Sequence, residues 1–138
     1  MSTLANIIDR HPRFLRRAIL ADAAISGATA LLLIAAGGLL ADLLALPPAL
    51  LRGAGLFLIP YVAFVAFVGT RDTVARPAVW AIVAANAAWA AASVLLLFSG
   101  WIAPNALGIA FILAQAAAVA LLGELQVMGL RRPEAAVA

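Results

Sequence analysis

The polar positions in this chain are sparse and clustered, and they divide four long apolar runs. The first run covers about 17–41, the second about 49–69, the third about 78–99 and the fourth about 104–128. Each is long enough to cross a hydrocarbon core of ~30 Å as a helix rising 1.5 Å per residue. The breaks have their own chemistry. "LPPA" at 46–49 stops one helix, and Pro48 is suited to open the next. "TRDTVARP" at 70–77 is a short charged loop, and "GWIAPN" is an uncharged turn with a tryptophan suited to an interface. Gly129 is expected to cap the fourth helix and Pro133 to end it. Pro60 falls within the second run, where it frees one backbone carbonyl and kinks the helix.

The pattern predicts an all-α polytopic membrane protein, an antiparallel four-transmembrane-helix bundle, because short connections make neighbouring helices antiparallel. A polar N-terminal segment, 1–16, precedes the membrane domain 17–132, and a short tail, 133–138, follows it. Pro12 is expected to begin a helix. Leu4, Ile7, Ile8 and Phe14 offer that segment an interfacial face, with Arg10, Arg13, Arg16 and Arg17 toward head groups. The first run is too long for the roughly 7–15 apolar residues of a signal peptide.

Composition agrees with the pattern. The chain is 67% hydrophobic and only 11% charged, too little polar surface for a soluble domain of 138 residues. Its net charge of +3 comes entirely from arginine on the basic side. Those arginines flank apolar runs, so they read as topology signals and contacts to anionic lipid, and no nucleic acid partner is expected. Arg10, Arg13, Arg16, Arg17, Arg71, Arg76, Arg131 and Arg132 share one side of a four-span arrangement, and Arg52 alone lies on the other. The positive-inside rule then places both termini in the cytoplasm, with the chain in a bacterial inner membrane. The abundance of alanine and arginine fits a GC-rich bacterial coding sequence.

The pattern "ALLRGAGLFLIPY", then "NAAWAAASVLLLFSGWIAPNALGIAF", then "AQAAAVALLGELQVMGLRR" resembles a group of small bacterial four-span integral membrane proteins. The likeness runs from Arg17 to Arg132. Its matching residues are Asp22, Arg52, Gly55, Pro60, Asn86, Trp89, Ser93, Pro104, Gly108, Gln115 and Glu124. The resemblance implies the fold and topology, and it carries no assigned activity.

Polar residues inside the runs are the candidates for function. Ser26, Tyr61, Asn86 and Gln115 fall near the middles of their spans and are expected to form one polar layer at mid-bilayer. Asn86, Trp89 and Ser93 share a helical face, as do Asp22, Ser26 and Thr29, and Gly108, Gln115 and Gln126. Such groups serve either as interhelical glue or as a substrate or ion site. The alanines around them, with Gly27, Gly53 and Gly55, suit close helix approach. Asp22 and Glu124 lie nearer the cytoplasmic ends, available for pairing with arginine or for proton or cation coupling. Arg52 can pair with Asp42 across the first hairpin. Trp80 and Trp101 suit the aromatic belts, and the deeper Trp89 suits either packing or a cavity wall.

Catalytic chemistry finds little footing. There is no cysteine, and the single histidine, His11, precedes the first run. Disulfides, thiolate sites and paired-histidine haem ligation within one chain are excluded, and no metal, cofactor-binding or catalytic residue is assigned. Two main readings of function remain. One is a non-enzymatic accessory subunit or small oligomeric module acting through protein or lipid contacts, as a homo-oligomer or part of a larger membrane complex. The other is a small oligomeric transporter or channel, at least a dimer, with Asp22 or Glu124 as the coupling carboxylate. A weaker third places a membrane enzyme or lipid sensor at Glu124, Arg71 and Arg76.

Overall fold

The apolar runs become helices because no other backbone form satisfies its own hydrogen bonds within lipid without closing a barrel. The computed structural model describes the backbone of residues 2–131 and the side chains of residues 13–131. Five helices follow in order: α1 (Ser2–Ala35), α2 (Gly37–Leu44), α3 (Pro48–Thr70), α4 (Arg76–Phe98) and α5 (Ala106–Arg131). Four of these, counting α1 from Arg13, are long and apolar enough to cross a membrane. The chain is an integral membrane protein of all-helical architecture.

The first span differs from its sequence pattern in two places. Its helix does not begin at Pro12 but runs through it from Ser2. A proline removes one backbone bond and kinks a helix without forbidding helix on its N-terminal side. The interfacial face proposed for Leu4, Ile7, Ile8 and Arg10 lies outside the described side chains, as does His11. The helix then breaks at Ala36, and the short helix α2 follows it. Ala45 ends α2 in the left-handed region (φ 55°), where its N–H donates to the Ala41 carbonyl. Pro48 opens α3 as expected, and Pro60 sits inside α3 on an exposed face.

The opposite end of the chain also differs. Gly129 does not cap α5, which continues to Arg131. Gly129 is buried against α1, where an added Cβ would come within 2.9–3.1 Å of Leu15. Gly108 acts similarly: a side chain there would collide with the Leu44 carbonyl at the end of α2. Gly55 packs on Ala30, Leu33 and Ile34 of α1 as anticipated, whereas Gly53 faces open space. Arg132 and the tail lie outside the described residues.

The helices form a ring with one weak joint. α1 packs most extensively on α3 and α4 on α5, and α1 also lies along α5, while α3 and α4 touch only locally. α4 is correspondingly the outermost, with 11% of its most apolar stretch buried against 28% in each of the other three. Two apolar clusters fill the ring. Leu15, Ile19, Val65, Val68, Val79, Ile82 and Leu130 pack at the arginine-rich end. Ala30, Leu33, Leu44, Leu51, Leu58 and Ile112 lead the cluster at the other end.

Candidate functional site

Between the apolar clusters lies Asp22, whose side chain is fully buried (0% exposed). At 1.5 Å per residue it is about 14 Å along α1 from Arg13. Its partners come from all four long helices. Ser26 Oγ, one turn on in α1, donates to Asp22 Oδ1 at 2.9 Å. Tyr61 Oη of α3 lies 2.8 Å from Oδ2, Asn86 Nδ2 of α4 donates to it at 2.9 Å, and Gln126 Nε2 of α5 donates at 2.8 Å. These donors also hold one another. Asn86 Nδ2 donates to Gln126 Oε1 at 3.0 Å, and Tyr61 Oη reaches Asn86 Oδ1 at 2.9 Å. Asn86 (3% exposed) and Gln126 (0%) are themselves buried.

All the side chains holding Asp22 are neutral. Pairing with arginine, one of the two roles anticipated for Asp22, does not occur among the described residues. The nearest arginine on its own helix with a placed partner is Arg16, which donates to the backbone carbonyls of Gly69 and Asp72 at the α3 terminus. An ionised carboxyl buried without a counter-charge costs several kcal/mol after relaxation, and a neutral one still needs its oxygens hydrogen-bonded, so the ring of partners is the condition for the presence of this acid in either form.

A second polar cluster lies higher in the bundle and joins only α4 and α5. Trp89 Nε1 donates to Gln115 Oε1 at 2.8 Å. Gln115 Nε2 donates to Ser93 Oγ (2.9 Å) and to the Ile112 carbonyl (2.8 Å), and Ser93 Oγ donates to the Trp89 carbonyl. The expected single polar layer is therefore two. Asn86, Tyr61 and Ser26 gather around Asp22, whereas Gln115 and Trp89 stand apart from them. Gln126, absent from the expected layer, takes the place opposite Asn86. Its signal was the helical face it shares with Gln115, from which it lies about 17 Å along the axis.

A cavity of about 140 Å³ separates the two clusters, with Ser26, Tyr61 and Asn86 on one side and Trp89 and Gln115 on the other. Apolar cavities of about 150 Å³ hold benzene. The space adjoins a larger vestibule of about 480 Å³, which shares Thr29, Trp89 and Gln115 and reaches Leu46, Leu50 and Trp101 at the end opposite the arginine-rich one. At the weak α3–α4 joint the Phe57 and Trp89 rings stack with centroids 5.9 Å apart. Below Asp22 the cluster of Ile19, Val65, Val79 and Ile82 leaves an apolar plug toward the arginine end.

The remaining candidates fall outside this site. Glu124 is exposed in a shallow groove with Val83, Ala87 and Gly123, and neither Arg71 nor Arg76 pairs with it. Arg71 instead lies over the Phe67 ring, 4.5 Å from its centroid. Asp42 and Arg52 form no ion pair among the described residues, because the Arg52 side chain crosses Gly37 and Gly38, where no side chain obstructs it. Trp80 and Trp101 are exposed near span ends. Asn105 was overlooked: its Oδ1 caps α5 by accepting from Gly108 N–H (2.8 Å), and its Nδ2 donates to the Leu43 carbonyl (2.9 Å). An asparagine just ahead of an apolar run is the sequence signal for such a cap.

No known family matches the chain, and neither does any curated protein or solved structure.

Proposed function

We propose that this protein is a small, non-enzymatic transport or binding module of a bacterial inner membrane. It takes a lipophilic molecule into the vestibule, and Asp22 serves as the proton- or cation-binding carboxylate at its foot. One observation carries this reading: a fully buried carboxyl, held by neutral donors from four helices, is one side chain removed from a cavity that three of its neighbours, Ser26, Tyr61 and Asn86, line, and that cavity shares walls with a larger vestibule toward the end opposite the arginine-rich one. An intramembrane carboxyl on the bundle interior is costly to keep, and such groups mark ion or substrate pathways. The arginine asymmetry supports cytoplasmic termini, so the vestibule faces outward.

The test is reconstitution into proteoliposomes with an entrapped pH-sensitive dye. Addition of the lipophilic cation tetraphenylphosphonium should move protons with the wild-type protein and not with Asp22→Asn. Equal dye responses from the two, or none from either, would overturn the reading. Orientation has its own assay, since the natural chain lacks cysteine. In intact cells, a membrane-impermeant maleimide should label Ala103→Cys and spare Thr73→Cys, and the reverse pattern would invert the topology.

A second reading, an accessory module within a homo-oligomer or larger complex, is favoured by α4. Its outward face carries Ala81, Ala84, Ala88 and Ala91, all exposed. Small residues allow close approach of another helix in lipid. Purification in mild detergent that yields only monomer, with no co-purifying protein, would remove this alternative.

A further inference from the structure

The hydrogen-bond geometry around Asp22 contains more contacts than protons. Six polar contacts of 2.8–3.0 Å join Asp22, Ser26, Tyr61, Asn86 and Gln126. The Ser26 hydroxyl supplies one proton, to Asp22 Oδ1. The Asn86 amide supplies two, one to Asp22 and one to Gln126 Oε1. The Gln126 amide supplies one to Asp22. These four contacts are complete.

The other two contacts meet at the Tyr61 hydroxyl. It lies 2.8 Å from Asp22 Oδ2 and 2.9 Å from the Asn86 carbonyl oxygen. Neither an ionised carboxylate nor an amide carbonyl can donate, and tyrosine has one proton. With Asp22 ionised, one of these pairs would be two lone-pair oxygens in contact with nothing between them. Exchanging the Asn86 oxygen and nitrogen does not help, because the oxygen would then face both Asp22 and Gln126 Oε1.

One added proton completes the set. We infer that Asp22 carries a bound proton on Oδ2, donated to Tyr61 Oη, whose own proton goes to Asn86 Oδ1. Asp22 is then a neutral acid, which also fits its full burial with no cationic side chain among the described residues against it. The groups facing it are few. Tyr61 is the only titratable side chain that α3 presents to it. α4 and α5 present the amides of Asn86 and Gln126. Glu124 is exposed, and Arg16 is engaged at the α3 terminus.

Loss of this proton removes the donor to Tyr61. The hydroxyl must then turn its own proton to Asp22 and release Asn86, so the direct α3–α4 hydrogen bond is the one sacrificed. The proton therefore strengthens the weak joint of the ring beside the small cavity. It is a bound ligand with a structural consequence, whether or not the protein moves any substrate.

Infrared spectroscopy of the full chain in lipid tests the placement. At neutral pH, wild-type protein should show a protonated-carboxyl C=O band that shifts down in deuterium oxide. The band should vanish in Asp22→Asn and change frequency in Tyr61→Phe, which lacks the acceptor. A protein with Asp9, Asp42 and Asp72 each replaced by Asn, labelled with 13C at aspartate carboxyls, gives the same answer without altering the cluster: the band should carry the isotope shift. Absence of the band, its persistence in Asp22→Asn, or its lack of isotope shift would overturn the inference. Its presence together with a silent proteoliposome assay would overturn the transport reading alone.

Discussion

The Asp22 cluster and the Gln115 cluster are built from similar amides and aromatic donors, yet they bind different parts of the bundle. The first draws one or more side chains from each of α1, α3, α4 and α5 and centres on a fully buried carboxyl. The second joins α4 and α5, which already pack together along their length, and its members are half-buried along the cavity walls. In lipid, apolar burial gives helices little reason to prefer one another over acyl chains, so polar contacts decide which helices meet. The lower cluster closes the ring. The upper one tunes a surface that is already formed.

That contrast is open to direct attack. Asn86→Leu deletes three contacts at once, to Asp22, Gln126 and Tyr61. At ~0.6 kcal/mol per interhelical bond in a membrane, it should lower stability by about 2 kcal/mol, measured by thermal unfolding in mild detergent. Gln126→Leu removes two contacts and should cost about 1 kcal/mol by the same measure. Phe57→Ala breaks the stack at the α3–α4 joint; aromatic pairs contribute about 0.5–1.5 kcal/mol, and the exposed setting of Phe57 favours the lower figure. Its sharper readout is fluorescence: Trp89 should become more accessible to a lipid-soluble quencher. Gln115→Leu should change melting by less than Gln126→Leu, while shifting Trp89 emission through loss of its indole partner. Ser93→Ala should be smallest, about a few tenths of a kcal/mol, since Gln115 keeps its bond to the Ile112 carbonyl. A larger loss for Gln115→Leu than for Asn86→Leu would reverse the roles assigned to the two clusters.

The four spans were legible because length and apolarity determine a transmembrane helix almost alone. The faces were legible too: the spacing of Asp22 and Ser26 places them one turn apart, and the structure joins them. What the sequence did not carry was the relative slide of helices past one another. Asn86 could meet Gln115 or Gln126, both on one face of α5, and only packing chooses between them. Gly129 against Leu15 and Gly108 against Leu44 set that packing, and both glycines resemble ordinary helix interruptions until the neighbouring helix is seen. Asp22 was open to pairing with arginine as well as to proton or cation coupling, because its face and depth along α1 do not say which side chains of the other helices meet it. The preference of Arg52 for Gly37 and Gly38 over Asp42 likewise depends on the break at Ala36, which a continuous apolar run conceals.

The order of the cluster's residues along the chain has a consequence for biogenesis. Asp22 and Ser26 leave the ribosome first, Tyr61 follows, and Asn86 and Gln126 come much later. Until α4 and α5 are inserted, the acid has only two of its four partner side chains. The last hairpin therefore completes the shell around the acid, and a chain truncated after α3 would leave that carboxyl with half of its partners.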